Sequence, residues 1–140
     1  MGTQSITVPS QLKDINRICE AVAVAAAEAG FDERTAYACQ LAVCEALENI
    51  VVHGYGPDQE GPIEATIESN PNELIINLSD RAPAFNPSDA DVSPPTAPED
   101  PPVGGLGLYI LHKVMDEVRY KRDRGRNLLH LRKTLHPDPE

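Results

Sequence analysis

The amino-acid sequence predicts a single α+β domain, a two-layer sandwich of helices on a mostly antiparallel sheet. Two pairs of strand-like segments each flank a short turn, which indicates antiparallel hairpins. Three longer segments repeat apolar residues at three- and four-residue steps, which is typical of helices that bury one face. The chain has 140 residues and a hydrophobic content of 41%. This is enough for one continuous core, and the helices are expected to cover the sheet because both layers must bury an apolar face.

The first third of the chain predicts one strand followed by two helices. Residues 4–8 fit a short edge strand, and Ser10 is expected to cap a first helix that ends at Gly30. Asp32 is expected to cap a second helix that ends in the GYGP segment 54–57. The predicted buried stripes of the two helices are Leu12, Ile15, Cys19, Val22, Ala23 and Ala26, then Ala36, Leu41, Val43, Leu47 and Ile50.

The rest of the chain predicts two hairpins that are separated by a long loop and a helix. The segments PIEATIES and ELIINLSD flank a turn at 70–73, and EVRYKR and NLLHLRKTL flank a turn at 123–126. Residues 86–103 are rich in proline and poor in bulky apolar residues, so we expect a long loop of the kind that often serves as a lid. A third helix follows this loop. The predicted order is β, α, α, β, β, lid, α, β, β.

The formal net charge of −10 argues against nonspecific nucleic-acid binding, which depends on basic groups that neutralise phosphates. The charge is unevenly distributed. Residues 1–112 contain four basic and 17 acidic residues, whereas residues 113–140 contain eight basic and five acidic residues. The basic C-terminal part either faces a separate partner or is a solvated strand surface, and the second reading is preferred.

The cysteine content and the absence of long apolar runs predict a cytoplasmic protein. No run approaches the roughly 20 apolar residues of a membrane span, and the N-terminus lacks the pattern of a secretory signal. The three cysteines, Cys19, Cys39 and Cys44, show no CxxC spacing. We therefore expect buried free thiols rather than disulfides or a zinc site.

Three polar residues recur at four-residue steps near the end of the second predicted helix. In the segment CEALENIVVHGYG, Glu45, Asn49 and His53 lie among apolar residues. In a regular helix this spacing places a carboxylate, an amide and an imidazole along one stripe. The stripe is either an exposed edge or the wall of a functional site.

A cluster of glycines opens the third predicted helix. Gly104, Gly105 and Gly107 stand where the proline-rich loop ends. The free N–H groups and the dipole of a helix start can bind a phosphate, and glycine allows close approach of a ligand. A flexible hinge or a tight helix–strand contact is the other reading. The spacing fits neither a P-loop, which needs a following Lys-Ser or Lys-Thr, nor a Rossmann fingerprint.

Together, three segments resemble the motifs of the GHKL ATPase superfamily, in particular the anti-sigma factor serine/threonine-protein kinases with their histidine-kinase-like ATPase domain. The segments are EALENIVVH, DRAPAFNP and PVGGLGLYILHKVMDEVRY. The resemblance covers nearly the whole chain. It implies one ATP-binding domain over residues 1–140, with an ATP lid at about 86–103. It also implies a Bergerat-type fold, a sheet of four or five strands under three helices.

The resemblance assigns roles to the polar stripe of the second helix. Asn49 resembles the asparagine that binds Mg²⁺ and ties it to the nucleotide phosphates, and an amide oxygen suits this hard cation. Glu45 resembles the general base, which here would act on a protein hydroxyl. His53 is assigned to nucleotide binding, and a cap at the helix end is the other reading of this residue.

The other two motifs supply the base and phosphate sides of the implied nucleotide site. Asp80 resembles the aspartate that accepts a hydrogen bond from the adenine amino group. Gly105 and Gly107 resemble the phosphate-side glycines. Leu108 is assigned to the nucleotide as well and, with Ile110, begins the buried face of the third helix. The implied cofactors are ATP and Mg²⁺.

The sequence departs from the family pattern at two places. The family usually has glycine two residues after the aspartate, where this chain has Ala82. Near the C-terminus the family often has glycine followed by threonine, whereas this chain has Gly125 and Asn127.

The resemblance implies an ATP-dependent kinase that binds a sigma factor or a similar regulator and phosphorylates a serine on a small antagonist protein. A homodimer is also implied, and neither direct nucleic-acid binding nor membrane binding is expected. The alternative is a noncatalytic, nucleotide-gated module that sequesters its partner. A detached ATPase domain of a histidine kinase is less favoured, because no phospho-acceptor histidine segment precedes the domain.

Overall fold

The computed structural model describes residues 2–57, 59–83 and 105–135 and confirms the predicted α+β sandwich. The predicted lid and the adjoining Phe85 lie outside these residues. None of the helices in the described ranges is long and apolar enough to span a bilayer. The elements in chain order are β1 (Gly2–Pro9), α1 (Leu12–Glu28), α2 (Glu33–Asn49), a π-helical turn (Ile50–Tyr55), β2 (Pro62–Asn70), β3 (Glu73–Asp80), α3 (Gly105–Val114), β4 (Glu117–Asp123) and β5 (Arg126–Thr134).

The five strands form one antiparallel sheet in the order β1-β2-β3-β5-β4. Both predicted hairpins are present. Asn72 takes a φ of 66° in the first turn, and Arg124 and Gly125 take φ values of 52° and 78° in the second. Two consecutive residues with positive φ are typical of a type I′ hairpin turn. Because β5 lies between β3 and β4, the end of β3 is adjacent to the start of β5.

The core lies between the helices and one face of the sheet. In α1 the predicted stripe is buried at Ile15, Cys19, Val22 and Ala26. Leu12 was assigned to this stripe wrongly: it is 54% exposed, because it is the first residue of α1, and Ile18 and Ala25 fill the stripe further along the helix.

The buried stripe of α2 also differs in part from the prediction. Leu41 is exposed, because it lies about 140° around the helix from the buried Ala36. Small residues cover the sheet beside the larger ones instead. The buried positions of α2 are Ala36, Cys39, Ala42, Val43, Ala46, Leu47 and Asn49.

The predicted N-cap of the first helix is wrong, and that of the second is confirmed. Gln11 occupies the N-cap position of α1 and makes no side-chain capping bond. Ser10 continues the pairing of β1 with β2: its hydroxyl accepts a hydrogen bond from the Gly61 N–H at 3.1 Å, and its own N–H donates to the Gly61 carbonyl at 3.0 Å. Asp32 caps α2 as predicted, because its Oδ1 accepts from the Thr35 N–H at 2.8 Å.

Gly30 ends α1 in the way that the sequence predicted. It has a φ of 103°, a backbone conformation that favours glycine. Its N–H donates to the Ala27 carbonyl, and the N–H of the buried Phe31 donates to the Ala26 carbonyl, both at 3.1 Å. These two bonds form the Schellman motif that satisfies the last carbonyls of a helix.

The three cysteines are free thiols, as predicted. Cys19 and Cys39 are buried, and Cys44 is half-buried. Burial raises the pKa of the Cys39 thiol to about 11, and burial together with the neighbouring Cys44 raises the pKa of Cys19 further. Both buried groups are therefore protonated, unreactive thiols at neutral pH.

Candidate functional site

The last two turns of α2 place a glutamate and an asparagine at the end of the helix. Glu45 is half-buried, and burial raises the pKa of its carboxyl group, with a smaller contribution from the nearby Glu48. Asn49, one turn later, is the last residue of α2 and is 8% exposed. A carboxylate with a raised pKa is a better proton acceptor than an ordinary one.

Asn49 has an unusual buried donor. Among the described residues, its Nδ2 is the one buried side-chain nitrogen or oxygen without a hydrogen-bond partner. A buried polar group without a partner costs about 1–3 kcal/mol, and native proteins contain few of them. The amide at the end of α2 therefore fits a position that a polar ligand completes.

After Asn49 the helix continues as the π-helical turn Ile50–Tyr55. The Gly56 N–H donates to the Val51 carbonyl at 3.0 Å, and Gly56 has a φ of 79°, which ends the turn. A π-helical turn contains more residues than an α-helical turn, so the predicted four-residue stripe breaks after Asn49. His53 is consequently exposed, whereas Asn49 is buried. The assignment of His53 to nucleotide binding stays a prediction.

Gly54 is the point where the end of α2 meets the end of β3. A Cβ built on Gly54 would lie 3.1 Å from the Ala82 Cβ and 3.9 Å from the Asn49 carbonyl oxygen. A contact of 3.1 Å is tighter than most Cβ contacts, so a side chain here would have to displace Ala82 by a few tenths of an ångström. The structure thus brings the segment of Asn49 together with the segment that follows Asp80.

Tyr55 ties the same two segments together, and the sequence analysis missed it. Its hydroxyl donates to the Pro62 carbonyl and accepts from the Arg81 N–H, both at 2.8 Å. The side chain is buried, and burial raises the pKa of its hydroxyl group. Tyr55 therefore fixes the backbone of the residue directly after Asp80.

Asp80 is the last residue of β3 and is 5% exposed. Its Oδ1 accepts hydrogen bonds from the Ala82 N–H and from Asn127 Nδ2, both at 2.9 Å. Burial raises the pKa of this carboxyl group, and the bonds from Asn127 and Ala82 and the charge of Arg122 oppose part of that rise. A buried carboxylate at a strand end, with Oδ1 as the oxygen that accepts from the described residues, is suited to accept a ligand donor on Oδ2.

The glycine-rich start of α3 is confirmed for the backbone. The helix begins at Gly105 and includes Gly107, and it packs against α2. The N–H groups of a first helical turn lack intrahelical partners, so these positions are able to bind an anion. Gly104 and the side chain of Leu108 lie outside the described residues, and the assignments of Gly105, Gly107 and Leu108 to the nucleotide stay predictions.

The arrangement fits a nucleotide with its metal ion. Where the chain is described, no cluster of three or more His, Cys, Asp or Glu residues could hold a metal by itself. Mg²⁺ does not need such a cluster, because it keeps several waters and is usually bound by one or two protein oxygens and by substrate phosphates. The amide oxygen of Asn49, together with the phosphates of a nucleotide, would supply that donor set.

The close contact between Gly61 and Tyr55 provides a test of this part of the structure. A Cβ at Gly61 would lie 2.5 Å from the Tyr55 ring, so Gly61→Ala must displace the ring. We expect it to lower the free energy of unfolding by about 1–3 kcal/mol, measured by urea denaturation. Gly2→Ala is the matched control, because a Cβ there meets no atom within 4 Å. Equal stability of the two variants would contradict this packing.

Comparisons with known proteins agree with the motifs. Residues 8–133 match the family model described as histidine kinase-like ATPase domain. The serine/threonine-protein kinase BtrW of Bordetella bronchiseptica is 34% identical over 109 residues, which are 76% of this chain and 75% of that protein. The serine-protein kinase RsbW of Listeria innocua is 29% identical over 105 residues, which are 71% of this chain and 67% of that protein.

A solved structure supports the fold. A Mycobacterium tuberculosis chain with RsbU and RsbW domains superimposes on 98% of this chain with a TM-score of 0.64 and 18% sequence identity. This chain spans 34% of that longer chain. The likeness extends over the whole sandwich of sheet and helices.

Proposed function

The chain belongs to the histidine kinase-like ATPase domain family, and we propose that it is an ATP-dependent serine/threonine protein kinase of the anti-sigma type. It binds a sigma factor or a similar regulator and phosphorylates a serine of a small antagonist protein. Two similar proteins are named protein kinases, and they match 76% and 71% of this chain. These matches support phosphoryl transfer to a protein as the reaction. The observation that carries the proposal is the buried Asn49 Nδ2, one turn after Glu45: it has no partner among the described residues, and a phosphate oxygen of the nucleotide would complete this donor.

Glu45 accepts the proton of the attacking serine. Its raised pKa makes the carboxylate more basic than that of an exposed glutamate, and its partial exposure leaves room for a partner hydroxyl. Bound ATP supplies the phosphoryl group. The new bond joins the serine oxygen to phosphorus, the bond from phosphorus to the ADP oxygen breaks, and the hydroxyl proton moves to Glu45.

The remaining residues hold the nucleotide. The Asn49 amide oxygen would hold Mg²⁺, and Asp80 accepts a hydrogen bond from the adenine amino group. The first turn of α3, with Gly105 and Gly107, would bind the phosphates through N–H groups that have no partners within the helix. Positioning and electrostatic stabilisation are the main contributions of a protein to phosphoryl transfer. The net charge of −10 opposes an anionic nucleotide, so we expect binding to require Mg²⁺.

The proposed cellular location follows from the reaction. A sigma factor, a phosphorylatable antagonist and ATP all occur in the bacterial cytoplasm, so the protein is placed there. A homodimer is part of the proposal on family grounds. The exposed His53 and the proline-rich lid at about 86–103 are assigned to the nucleotide on the same grounds.

A noncatalytic, nucleotide-gated module is the alternative; both functions need bound nucleotide, and the position of Ala82 is compatible with that binding. Ala82 stands where the family has glycine, but it is 1% exposed and its methyl group lies against Gly54. The extra methyl group is therefore packed inside the protein rather than left open toward a ligand.

Transfer of labelled phosphate tests the proposal. Proteins captured from the native cell are incubated with the purified chain, Mg²⁺ and ATP labelled at the γ-phosphate. We expect label on a serine of one captured protein. Calorimetry with Mg-ATP separates the other outcomes: binding without transfer identifies the nucleotide-gated module, and no heat at millimolar ATP contradicts both functions.

A further inference from the structure

Asn127 lies beside Asp80, near the C-terminus, at the place where the family often has threonine. It is the second residue of β5 and pairs with Asp80 across the β3–β5 ladder. It is 5% exposed, which is unusual for an asparagine. Its buried amide therefore needs hydrogen-bond partners within the protein.

The hydrogen bonds of Asn127 fix the orientation of its amide. Nδ2 donates to Asp80 Oδ1 at 2.9 Å, to the Ala82 carbonyl at 3.0 Å and to the Pro83 carbonyl at 3.2 Å. Oδ1 accepts from the Tyr120 hydroxyl and, at 3.0 Å, from Arg122 Nη1. A reversed amide would place its oxygen against three acceptors, so only one orientation is compatible with these neighbours.

The same bonds give the two oxygens of the Asp80 carboxylate different roles. Oδ1 accepts from both Asn127 and Ala82, whereas Oδ2 has no hydrogen-bond partner within the residues that the structure describes. Oδ2 is thus the oxygen left for a ligand. Arg122 supports the arrangement by donating to the Ala82 carbonyl at 2.8 Å.

We propose that Asn127 is a positioning residue that makes the site selective for a purine with an amino group at C6, as in adenine. This inference rests on the proposed function. Asn127 holds Asp80 through Oδ1, so that Oδ2 accepts from the amino group of adenine. Guanine and hypoxanthine present a carbonyl oxygen at the same ring position, and two acceptors repel each other. A purine without the amino group loses the hydrogen bond.

The carboxamide of Asn127 makes more hydrogen bonds than a hydroxyl group could make at this position. Its two N–H groups serve Asp80 and the carbonyls of residues 82–83, while its oxygen accepts from Tyr120 and Arg122. A threonine, which the family often has here, offers one donor, so it could serve only one of these three acceptors. Asn127 therefore stands in place of the threonine. It also fixes the backbone of residues 82–83, which precede the predicted lid.

The test compares Mg-ATP with purine riboside triphosphate, which lacks the amino group, by calorimetry. We expect the wild-type protein to prefer ATP by about 10- to 100-fold, the usual value of a hydrogen bond to a charged group. Asn127→Ala should reduce the preference to about threefold or less, and Asn127→Thr should retain most of it because it keeps a donor to Asp80. Asn77→Ala, an exposed asparagine on β3, is the matched control and should leave the preference unchanged.

A second measurement needs no nucleotide. The Asp80 carboxyl group is titrated by carbon NMR in the wild-type protein and in Asn127→Thr and Asn127→Ala. Loss of the Asn127 donor should shift the midpoint of Asp80 upward in Asn127→Ala, and less in Asn127→Thr. An unchanged midpoint would overturn the positioning role even if Asn127→Ala binds nucleotide poorly for reasons of stability.

The outcomes separate this inference from the proposed function. A wild-type protein that binds neither nucleotide contradicts both. A wild-type protein that prefers ATP, together with an Asn127→Ala variant that keeps the same preference, contradicts the inference alone. Equal weakening of both nucleotides in Asn127→Ala would mean that Asn127 supports only the structure, and would also overturn the inference.

Discussion

Glu45→Gln is expected to lower the rate of phosphoryl transfer to the partner serine by about 10²- to 10⁴-fold. Glutamine keeps the size and polarity of the side chain but cannot accept the hydroxyl proton. Affinity for Mg-ATP should stay within about threefold, because Glu45 is assigned to the attacking hydroxyl and not to the nucleotide. The measurement is single-turnover transfer of labelled phosphate at saturating ATP, with affinity measured separately by calorimetry.

A matched control and a pH profile test whether the loss of transfer comes from the Glu45 carboxylate. Glu20→Gln removes an exposed carboxylate on α1 and should leave transfer unchanged. The rate should fall on the acid side at a higher pH than an ordinary glutamate would give, because burial raises the pKa of Glu45. Glu48→Gln should move that acid limb to lower pH, since Glu48 contributes to the rise. Full transfer by Glu45→Gln would reject this residue as the base.

Asp80→Asn is expected to weaken Mg-ATP binding by at least about 100-fold. The hydrogen bond to a charged acceptor is lost, and an amide nitrogen that faces the adenine amino group would leave two donors opposed. The Oδ1 of the new asparagine can still accept from Asn127 and Ala82, so the surrounding structure should persist. Calorimetry measures the affinity, and an affinity equal to that of the wild type would remove Asp80 from the site.

The same substitution should not lower stability. Burial raises the folded-state pKa of Asp80 above its value in the unfolded chain. The folded protein therefore binds the proton more tightly, and as pH rises through the folded pKa the ionised buried carboxylate costs stability. Removal of that charge should leave the melting temperature at pH 7 unchanged or raise it by a few degrees. A large drop in melting temperature would indicate that Asp80 is a structural group.

Local signals in the sequence predicted most of the fold because they act over a few residues. Asp32 caps α2 through the Thr35 N–H, and Gly30 takes the positive φ that ends α1. In the turns at 70–73 and 123–126, Asn72 and Gly125 take positive φ values, which these residue types adopt readily. The alternation of apolar residues in the strands fixed which face is buried. None of these features needs a partner that is distant along the chain.

The contacts that build the site could not be predicted, because they join distant segments. Asn127 bonds to Asp80, which lies 47 positions earlier in the chain, on a neighbouring strand. The sequence does not reveal that β5 inserts between β3 and β4. Ser10 has the composition of a helix cap but pairs with Gly61, 51 positions away. Tyr55 looked like part of a helix terminator and instead ties the helix end to two strands.

The stripe of Glu45, Asn49 and His53 illustrates the limit of periodicity. The spacing of four is valid through Asn49, where the α-helix ends. The π-helical turn that follows changes the angle per residue, and His53 becomes exposed. Gly54 and Gly56 in the sequence mark the irregular end of the helix but do not distinguish a π-helical turn from a simple stop.

A crystal structure of the chain with Mg²⁺ and a nonhydrolysable ATP analogue tests the central claim directly. The claim is that the end of α2, the end of β3 and the start of α3 bind one nucleotide. We predict the adenine amino group within hydrogen-bond distance of Asp80 Oδ2, Mg²⁺ on the Asn49 amide oxygen, and phosphate oxygens at the N–H groups of Gly105 and Gly107. A nucleotide bound elsewhere, with Asp80 and Asn49 contacting no part of it, would contradict the claim.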